Sequence, residues 1–259
     1  MATKKESENR LATLAALAGE GKKITALTAY DYPTARLLDE AGVDLILVGD
    51  SLGMVVLGLE DTTGVDMSAM LHHIRAAARG TARAPLVGDF PFGSYDSPEM
   101  ALANGRRLLE AGADAVKLEG GVAVGAQVRA LVAAGIAVVG HIGMLPQQVR
   151  EEGGYHKKGK TPGQADALFE DAKDLEAAGA LALILEGIVA DVAAEITRRS
   201  TIPTIGIGSG MECDGQILVT HDLLGSFPWF RPPFATPRAD LASETTRAVR
   251  EYIDAVRGE

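Results

Sequence analysis

Four times in this chain a helix-like stretch closes on glycine and an apolar run follows at once: Glu40-Ala41-Gly42, Glu110-Ala111-Gly112, Ala134-Gly135 and Ala178-Gly179. Glycine ends helices because it takes the left-handed conformation at no steric cost. A short apolar run without polar alternation reads as a strand covered on both faces. A chain that repeats helix, glycine and buried strand builds a parallel sheet with helical crossovers. Strands are predicted at Ile24–Tyr30, Leu45–Gly49, Pro85–Phe90, Val116–Glu119, Ala137–Gly143, Leu181–Glu186, Pro203–Gly208 and Ile217–Val219. The length of 259 residues is close to the roughly 250 of a closed (β/α)8 barrel. No GxGxxG follows the first strand, as an open dinucleotide-binding sheet would require. The expected fold is α/β, a single (β/α)8 TIM-barrel domain over 1–259, with a short N-terminal arm or helix and a C-terminal helix at about 239–256.

Helices are expected at Thr34–Ala41, Met67–Arg79, from Ser97 with Pro98 in its first turn, and at Gly125–Ala134, Gly163–Gly179 and Val189–Arg199. Leu52–Asp66 reads as a long loop over the barrel mouth. Gln147–Thr161 is polar and aperiodic, and reads as a mobile loop able to act as a lid.

The formal net charge of −10 argues against nucleic acid or an anionic membrane surface as partner. Cys213, the single cysteine, can form neither an intrachain disulfide nor a cysteine metal site. No apolar stretch approaches the ~20 residues of a membrane span, and the polar start Met1–Arg10 lacks the apolar core of a signal peptide. A cytoplasmic enzyme acting on small molecules is the expectation.

In such a barrel the chemistry sits at the carboxyl ends of the strands. Those ends carry Tyr30, Asp50 with Ser51, Asp89, Lys117 with Glu119, His141 and Glu186. Lys117 and Glu119 lie two apart on a strand and point the same way; they form either a structural ion pair or a cation and a carboxylate offered to one mouth. A lone Asp at a strand end often serves only a turn or a helix cap. Asp50, Asp89 and Glu119 together also make an oxygen-donor set suited to a hard divalent cation such as Mg2+. Beside it, Lys117 would meet an anionic substrate group or a developing oxyanion. His141 is either a substrate contact or a buried imidazole hydrogen-bonded in place. Glu186, last in an apolar strand, is a helix cap or a general base. The glycines of Ile205–Gly210 serve either a phosphate or only a turn. His72-His73 have no metal-ligand spacing and read as packing residues.

The segments VGDSLG at 48–53, GDFPFGSY at 88–95, AVKLEGG at 115–121, GHIGMLPQ at 140–147, GGYHKKGKT at 153–161 and IPTIGIGSGMECDGQILV at 202–219 resemble the ketopantoate (3-methyl-2-oxobutanoate) hydroxymethyltransferase family, in order, over about residues 22–225. The resemblance implies a barrel of the phosphoenolpyruvate/isocitrate-lyase type, often assembled as a decamer, that acts in pantothenate synthesis. It implies transfer of a one-carbon unit from 5,10-methylenetetrahydrofolate to the 2-oxo acid 3-methyl-2-oxobutanoate. Carried over residue by residue, Asp50, Asp89 and Glu119 match the Mg2+ carboxylates, and Asp50, Ser51, Asp89 and Lys117 the positions that hold the oxo acid. Glu186 matches the proton acceptor and His141 an active-site contact. Met144-Leu145 and Phe227–Pro237 depart from the family pattern. The alternatives are a metal-dependent lyase or phosphomutase of the same superfamily, whose usual Lys-Lys-Cys-Gly-His loop is missing here, and a non-catalytic oxo-acid-binding protein.

Overall fold

The computed structural model describes residues 4–258; Met1–Thr3 and Glu259, part of the expected 1–259 span, lie outside the described residues. Helix α1 (Lys4–Gly19) leads into β1 (Ile24–Thr28), α2 (Tyr32–Ala41) and β2 (Leu45–Val48). A short helix α3 (Leu52–Val55) and a 3-10 turn at Thr62–Gly64 precede α4 (Met67–Ala78) and β3 (Leu86–Asp89). Next come α5 (Pro98–Ala111), β4 (Ala115–Glu119) and, past a 3-10 turn at Val122–Val124, α6 (Gly125–Ala133). Strand β5 (Val138–Gly143) runs into a 3-10 turn at Pro146–Gln148 and the one-turn helix α7 (Val149–Glu152). The sequence continues through α8 (Pro162–Ala177), β6 (Ala182–Glu186), α9 (Ala190–Arg199), β7 (Thr204–Ile207) and β8 (Gly215–Leu218). The strands close in chain order into one barrel, parallel from β1 through to β8. Contacts divide the chain into two compact units, Met1–Ile217 and Leu218–Glu259; the second holds α10 (Thr220–Leu224) and α11 (Leu241–Arg257).

The glycine repeat does what its position demands. Gly42, Gly112, Gly135 and Gly179 all have positive φ, between 76° and 115°, so each lets the chain leave a helix and turn straight into the next strand. At the other helix ends the side chains of Asp31, Asp66, Ser97 and Thr161 accept from the backbone N–H groups of Thr34, Ala69, Met100 and Gln164, supplying partners the first turn lacks.

Alternation along each strand sorts the core into two layers. Ile46, Val48, Leu86, Val116, Leu118, Val138, Leu183 and Leu185 face outward and pack against helix residues such as Ile74, Leu108, Leu131 and Leu175. Ala26, Leu45, Leu47, Val87, Ala115, Val139, Ala182, Ile184 and Ile205 face inward and fill the lower barrel. Leu14 of α1, fully buried, belongs to this inner cluster and seals its floor. Helix α1 is tied down by Asp114, which accepts from the Ser7 hydroxyl, from Arg10 at 3.2 Å and from the Leu86 N–H at 2.9 Å.

Three expectations are revised. Strand β8 begins at Gly215, two residues before Ile217, because glycine and glutamine hide it; Gly215 is needed at the seam, where a Cβ would come within 2.6 Å of the Ile24 carbonyl. The loop at 52–66 contains α3 and a 3-10 turn capped by Asp61, whose side chain accepts from the Thr63 N–H at 2.9 Å. The loop at 147–161 contains α7, and its far end pairs back on the barrel, with the Lys158 N–H bonded to the Gly187 carbonyl at 2.8 Å. Single helical turns are too short to show a hydrophobic period.

If Leu14 is the plug of the barrel floor, Leu14→Ala should cost about 2–5 kcal/mol in urea unfolding. A loss under about 0.5 kcal/mol, the size expected of a surface change, would mean that the helix only rests on the barrel.

Candidate active site

Beyond the apolar lower layers, the inward-facing positions turn polar. Asp89 ends β3 and pairs in register with Lys117 of β4; Glu119, two residues on, pairs with His141 of β5; Gly143 pairs with Glu186 of β6. Asp50 and Ser51 follow β2 at the same end. The structure thus brings every residue singled out at the strand ends to one mouth. Asp50, Asp89, Lys117, Glu119 and His141 are each 5% exposed or less, and the Glu186 side chain is 15% exposed.

Lys117 is the centre of this cluster. Its Nζ donates to Asp89 Oδ2 at 2.7 Å and lies 3.5 Å from Glu119 Oε1. Burial alone would strip its proton, but the charges of Asp89, Glu119 and Asp50 outweigh burial and hold the ammonium charged well above the usual lysine range. Burial likewise favours the neutral form of Glu119; Lys117 and His141 reverse this and keep it ionised, with its pKa below the ordinary value. The alternatives left open for Lys117 and Glu119 therefore merge, since the ion pair itself stands in the mouth.

Asp50 and Asp89 behave differently. Burial, reinforced by Asp89 and Glu119, pushes the Asp50 carboxyl well above the usual range. Asp89 is also raised by burial, partly offset by Lys117. Asp89 Oδ2 is used by Lys117 and by the Asp50 N–H at 3.2 Å, whereas Asp89 Oδ1 is buried with no hydrogen-bond partner. An orphaned buried carboxylate oxygen costs free energy unless something positive meets it.

His141 lies between two carboxylates, with Nδ1 3.3 Å from Glu119 Oε1 and Nε2 3.3 Å from Glu186 Oε2. Both nitrogens stand just short of a well-aligned hydrogen bond. Burial and Lys117 push the ring towards neutrality, but Glu119 and Glu186 prevail and raise its pKa to about 9. The separation of β5 and β6 here depends on Gly143, whose φ is 100° and where a Cβ would sit 2.3 Å from the Glu186 carbonyl.

Four carboxyl groups, on Asp50, Asp89, Glu119 and Glu186, share this mouth with two cationic groups, Lys117 and His141, so acidic groups are in excess. Among the described residues no three His, Cys, Asp or Glu side chains converge as a ready-made metal group; Mg2+ usually keeps several waters and takes one or two carboxylates directly, so Asp50 and Asp89 are the pair the geometry offers. The free Oδ1 of Asp89 and the raised carboxyl of Asp50 fit such an ion.

Two residues of the site were missed in the sequence reading. Gln147, 3% exposed, donates through Nε2 to Asp50 Oδ2 at 3.0 Å and to the Phe90 carbonyl at 2.8 Å, and its N–H reaches Glu119 Oε2 at 3.1 Å. Tyr95 meets Gln147 Oε1 through its hydroxyl at 2.7 Å. The sequence signal was present, since both end segments already quoted for the resemblance, but neither side chain is charged. Tyr30 supports the site from behind, its hydroxyl 2.8 Å from Ser51 Oγ. The glycine loop at 205–210 offers no side chain to a phosphate: Ser209 is buried, donating to the Leu185 carbonyl and accepting from the Ile188 N–H. His73 is engaged with the Tyr30 carbonyl and stacks edge-on with His72, a packing role.

A raised imidazole pKa stabilises the fold below the ordinary value near 6.5 and withdraws that contribution as pH rises through about 9. In the metal-free protein the His141 ring should titrate by NMR near 9, and thermal stability should fall across that range. An imidazole titrating at 6.5 or below would show that the two carboxylates do not act on it.

The family model described as ketopantoate hydroxymethyltransferase matches residues 8–259. The 3-methyl-2-oxobutanoate hydroxymethyltransferase of Oleidesulfovibrio alaskensis is 54% identical over 238 residues, covering 91% of this chain and 82% of that protein. The protein of that name from Thermoanaerobacter pseudethanolicus is 53% identical over 247 residues, covering 95% and 90%. Among solved structures, phosphonopyruvate hydrolase in complex with oxalate and Mg++ superposes with a TM-score of 0.65 at 16% identity, covering 96% and 87%. A 2,3-dimethylmalate lyase described as a PEP mutase/isocitrate lyase superfamily member superposes at 0.62, also at 16% identity, covering 96% and 88%; these two likenesses establish the fold. With a family model over nearly its whole length and relatives more than half identical, the chain belongs to the ketopantoate hydroxymethyltransferase family.

Proposed function

We propose that this chain transfers a hydroxymethyl group from 5,10-methylenetetrahydrofolate to 3-methyl-2-oxobutanoate, giving 2-dehydropantoate and tetrahydrofolate with water supplying the hydroxyl, in pantothenate synthesis. The observation that carries the reading is the buried Asp50–Asp89–Lys117–Glu119 cluster, with Glu186 beside it, on a barrel of this family. Asp50 and Asp89 would hold Mg2+, with Glu119 as third carboxylate. When bound, the cation supplies positive charge that polarises the keto oxygen of the substrate. Lys117, kept charged by its neighbours, receives anionic charge on the oxo acid as a point charge. Asp50, Ser51 and Asp89 line the same space and orient the substrate.

Glu186 takes the proton from the substrate carbon next to the carbonyl. It is the least buried carboxylate of the group, and unlike Asp89 and Glu119 it is not paired with Lys117. His141, charged and 3.3 Å away, holds the Glu186 carboxylate in place through its Nε2. Water adds to the methylene of the folate donor and both of its C–N bonds break, the two nitrogens taking the protons of the water. The deprotonated carbon attacks the one-carbon unit so released, at the oxidation level of formaldehyde, and as the new C–C bond forms its oxygen becomes the hydroxyl and takes the proton held by Glu186. A lyase or phosphomutase reading is less well supported, because the relatives that share half their residues with this chain carry the transferase name.

The reading extends to a homo-oligomer, with a decamer expected from the family. What supports self-association is α11, which has no buried residue and exposes Leu241, Val249, Tyr252 and Val256. The same reading places the reaction in the cytoplasm; among the described residues no helix is long and apolar enough to cross a membrane.

Glu186→Gln should leave Mg2+ and oxo-acid binding within about threefold of the parent while abolishing loss of the substrate C–H signal in deuterated water, followed by proton NMR. Undiminished exchange would remove Glu186 from the role of base, a group expected to contribute roughly 10²–10⁴-fold. Because Asp50 and Asp89 are raised by burial, Mg2+ must displace protons from them. Calorimetric Mg2+ affinity should therefore weaken as pH falls, with net proton release on binding; a pH-independent affinity would contradict the assignment of those two ligands.

A further inference from the structure

Gln147 is neutral and buried, and it bonds to two of the carboxylates that would hold the cation. Its amide orientation is fixed by its partners: the Phe90 carbonyl accepts only, so the NH2 must face it and Asp50 beside it, while the oxygen faces the Tyr95 hydroxyl. Its backbone N–H engages Glu119 Oε2. One residue therefore sets the rotation of both Asp50 and Glu119 and decides which oxygens are left for a ligand.

Gln147 does not come from a barrel strand. It is delivered by the 3-10 turn at Pro146–Gln148, within a segment held to the barrel at both ends: the Met144 N–H donates to the Glu186 carbonyl and the Lys158 N–H to the Gly187 carbonyl, each at 2.8 Å. Between these anchors, Arg150 of α7 forks onto Asp61 with Nε–Oδ2 at 2.7 Å and Nη2–Oδ1 at 3.2 Å. The Tyr155 hydroxyl reaches Met54 Sδ at 3.7 Å. The segment after β5 is thus fastened to the segment after β2, and Gln147 carries its side-chain bond to Asp50.

We propose that Gln147 is a positioning residue through which seating of segment 144–160 and loading of the divalent cation depend on each other. When the segment is seated, Gln147 aligns Asp50 and Glu119 for the ion; when it lifts, both carboxylates lose their orienting donors. Coupling of this kind is reciprocal, so the bound ion must stabilise the seated segment by the same factor by which seating favours the ion. The proposal rests on the cation reading above.

The test measures Mg2+ binding by calorimetry and backbone hydrogen exchange of residues 147–154, with no turnover involved. In the unaltered protein Mg2+ should slow exchange across 147–154. In Gln147→Leu, affinity for Mg2+ should fall roughly 10- to 100-fold, as for other groups that orient metal ligands, and saturating Mg2+ should no longer slow exchange there. Arg150→Ala loosens the segment without touching a carboxylate of the cation site; it should speed basal exchange and weaken Mg2+ several-fold, and it decides the matter alone if the Gln147→Leu variant does not fold. Adding it to Gln147→Leu should cost little more. Unchanged Mg2+ affinity in either variant, or Mg2+-dependent protection that survives loss of Gln147, overturns the coupling. Absence of Mg2+ binding by the unaltered protein overturns the cation reading and the coupling with it.

Discussion

The ammonium of Lys117 is the charge on which the mouth of this barrel depends. A lysine this deeply buried would ordinarily give up its proton, since a solitary charge out of water costs several kcal/mol. Here the acidic groups that keep it charged are themselves destabilised by burial and by one another, so cation and carboxylates each exist because the others do. Replacing any one of them with a neutral residue would leave the rest in conflict. Such a group is a poor source of stability; its value is that it fixes positions and charge states.

The barrel below explains how so much charge can be buried. Strand alternation sends one set of side chains inward, and in the lower layers these are Ala, Val, Leu and Ile packed onto Leu14. Only the last inward position or two of β3 to β6 is polar. Apart from Asp50, which follows β2, the acidic and basic groups at the mouth project from strands held by neighbours on both edges and by helices outside, which is the support a site needs if its geometry is to survive mutual repulsion.

The fold was readable because its punctuation is rigid. Glycines at four helix ends, the capping residue Ser97 with Pro98 behind it, and uninterrupted strands such as Leu181–Leu185 each admit few conformations, and together they admit one architecture. Strand β8 was misplaced because Gly215 and Gln216 carry no hydrophobic signal, and pairing with β7 alone defines them. The charged strand-end residues were legible for a similar reason, since period two dictates that Lys117 and Glu119 share a side. Gln147 was not, because a neutral residue on an irregular turn acquires meaning only from what the folded chain brings to it. His141 fell between these cases: its place was evident, but its charge state follows from Glu119 and Glu186 arriving from two other strands.

Gly143 shows how little material can determine a distance. It lies where β5 leaves the barrel, and the carbonyl it nearly touches belongs to Glu186 on the next strand. Any side chain there would have to wedge the two strands apart, and the gap between His141 and Glu186 would widen with them. The spacing of that pair is therefore set by an absent methyl group. A substitution that looks minor on paper, and alters no charge or hydrogen-bonding group, would act on the site as a spacer inserted into a gauge.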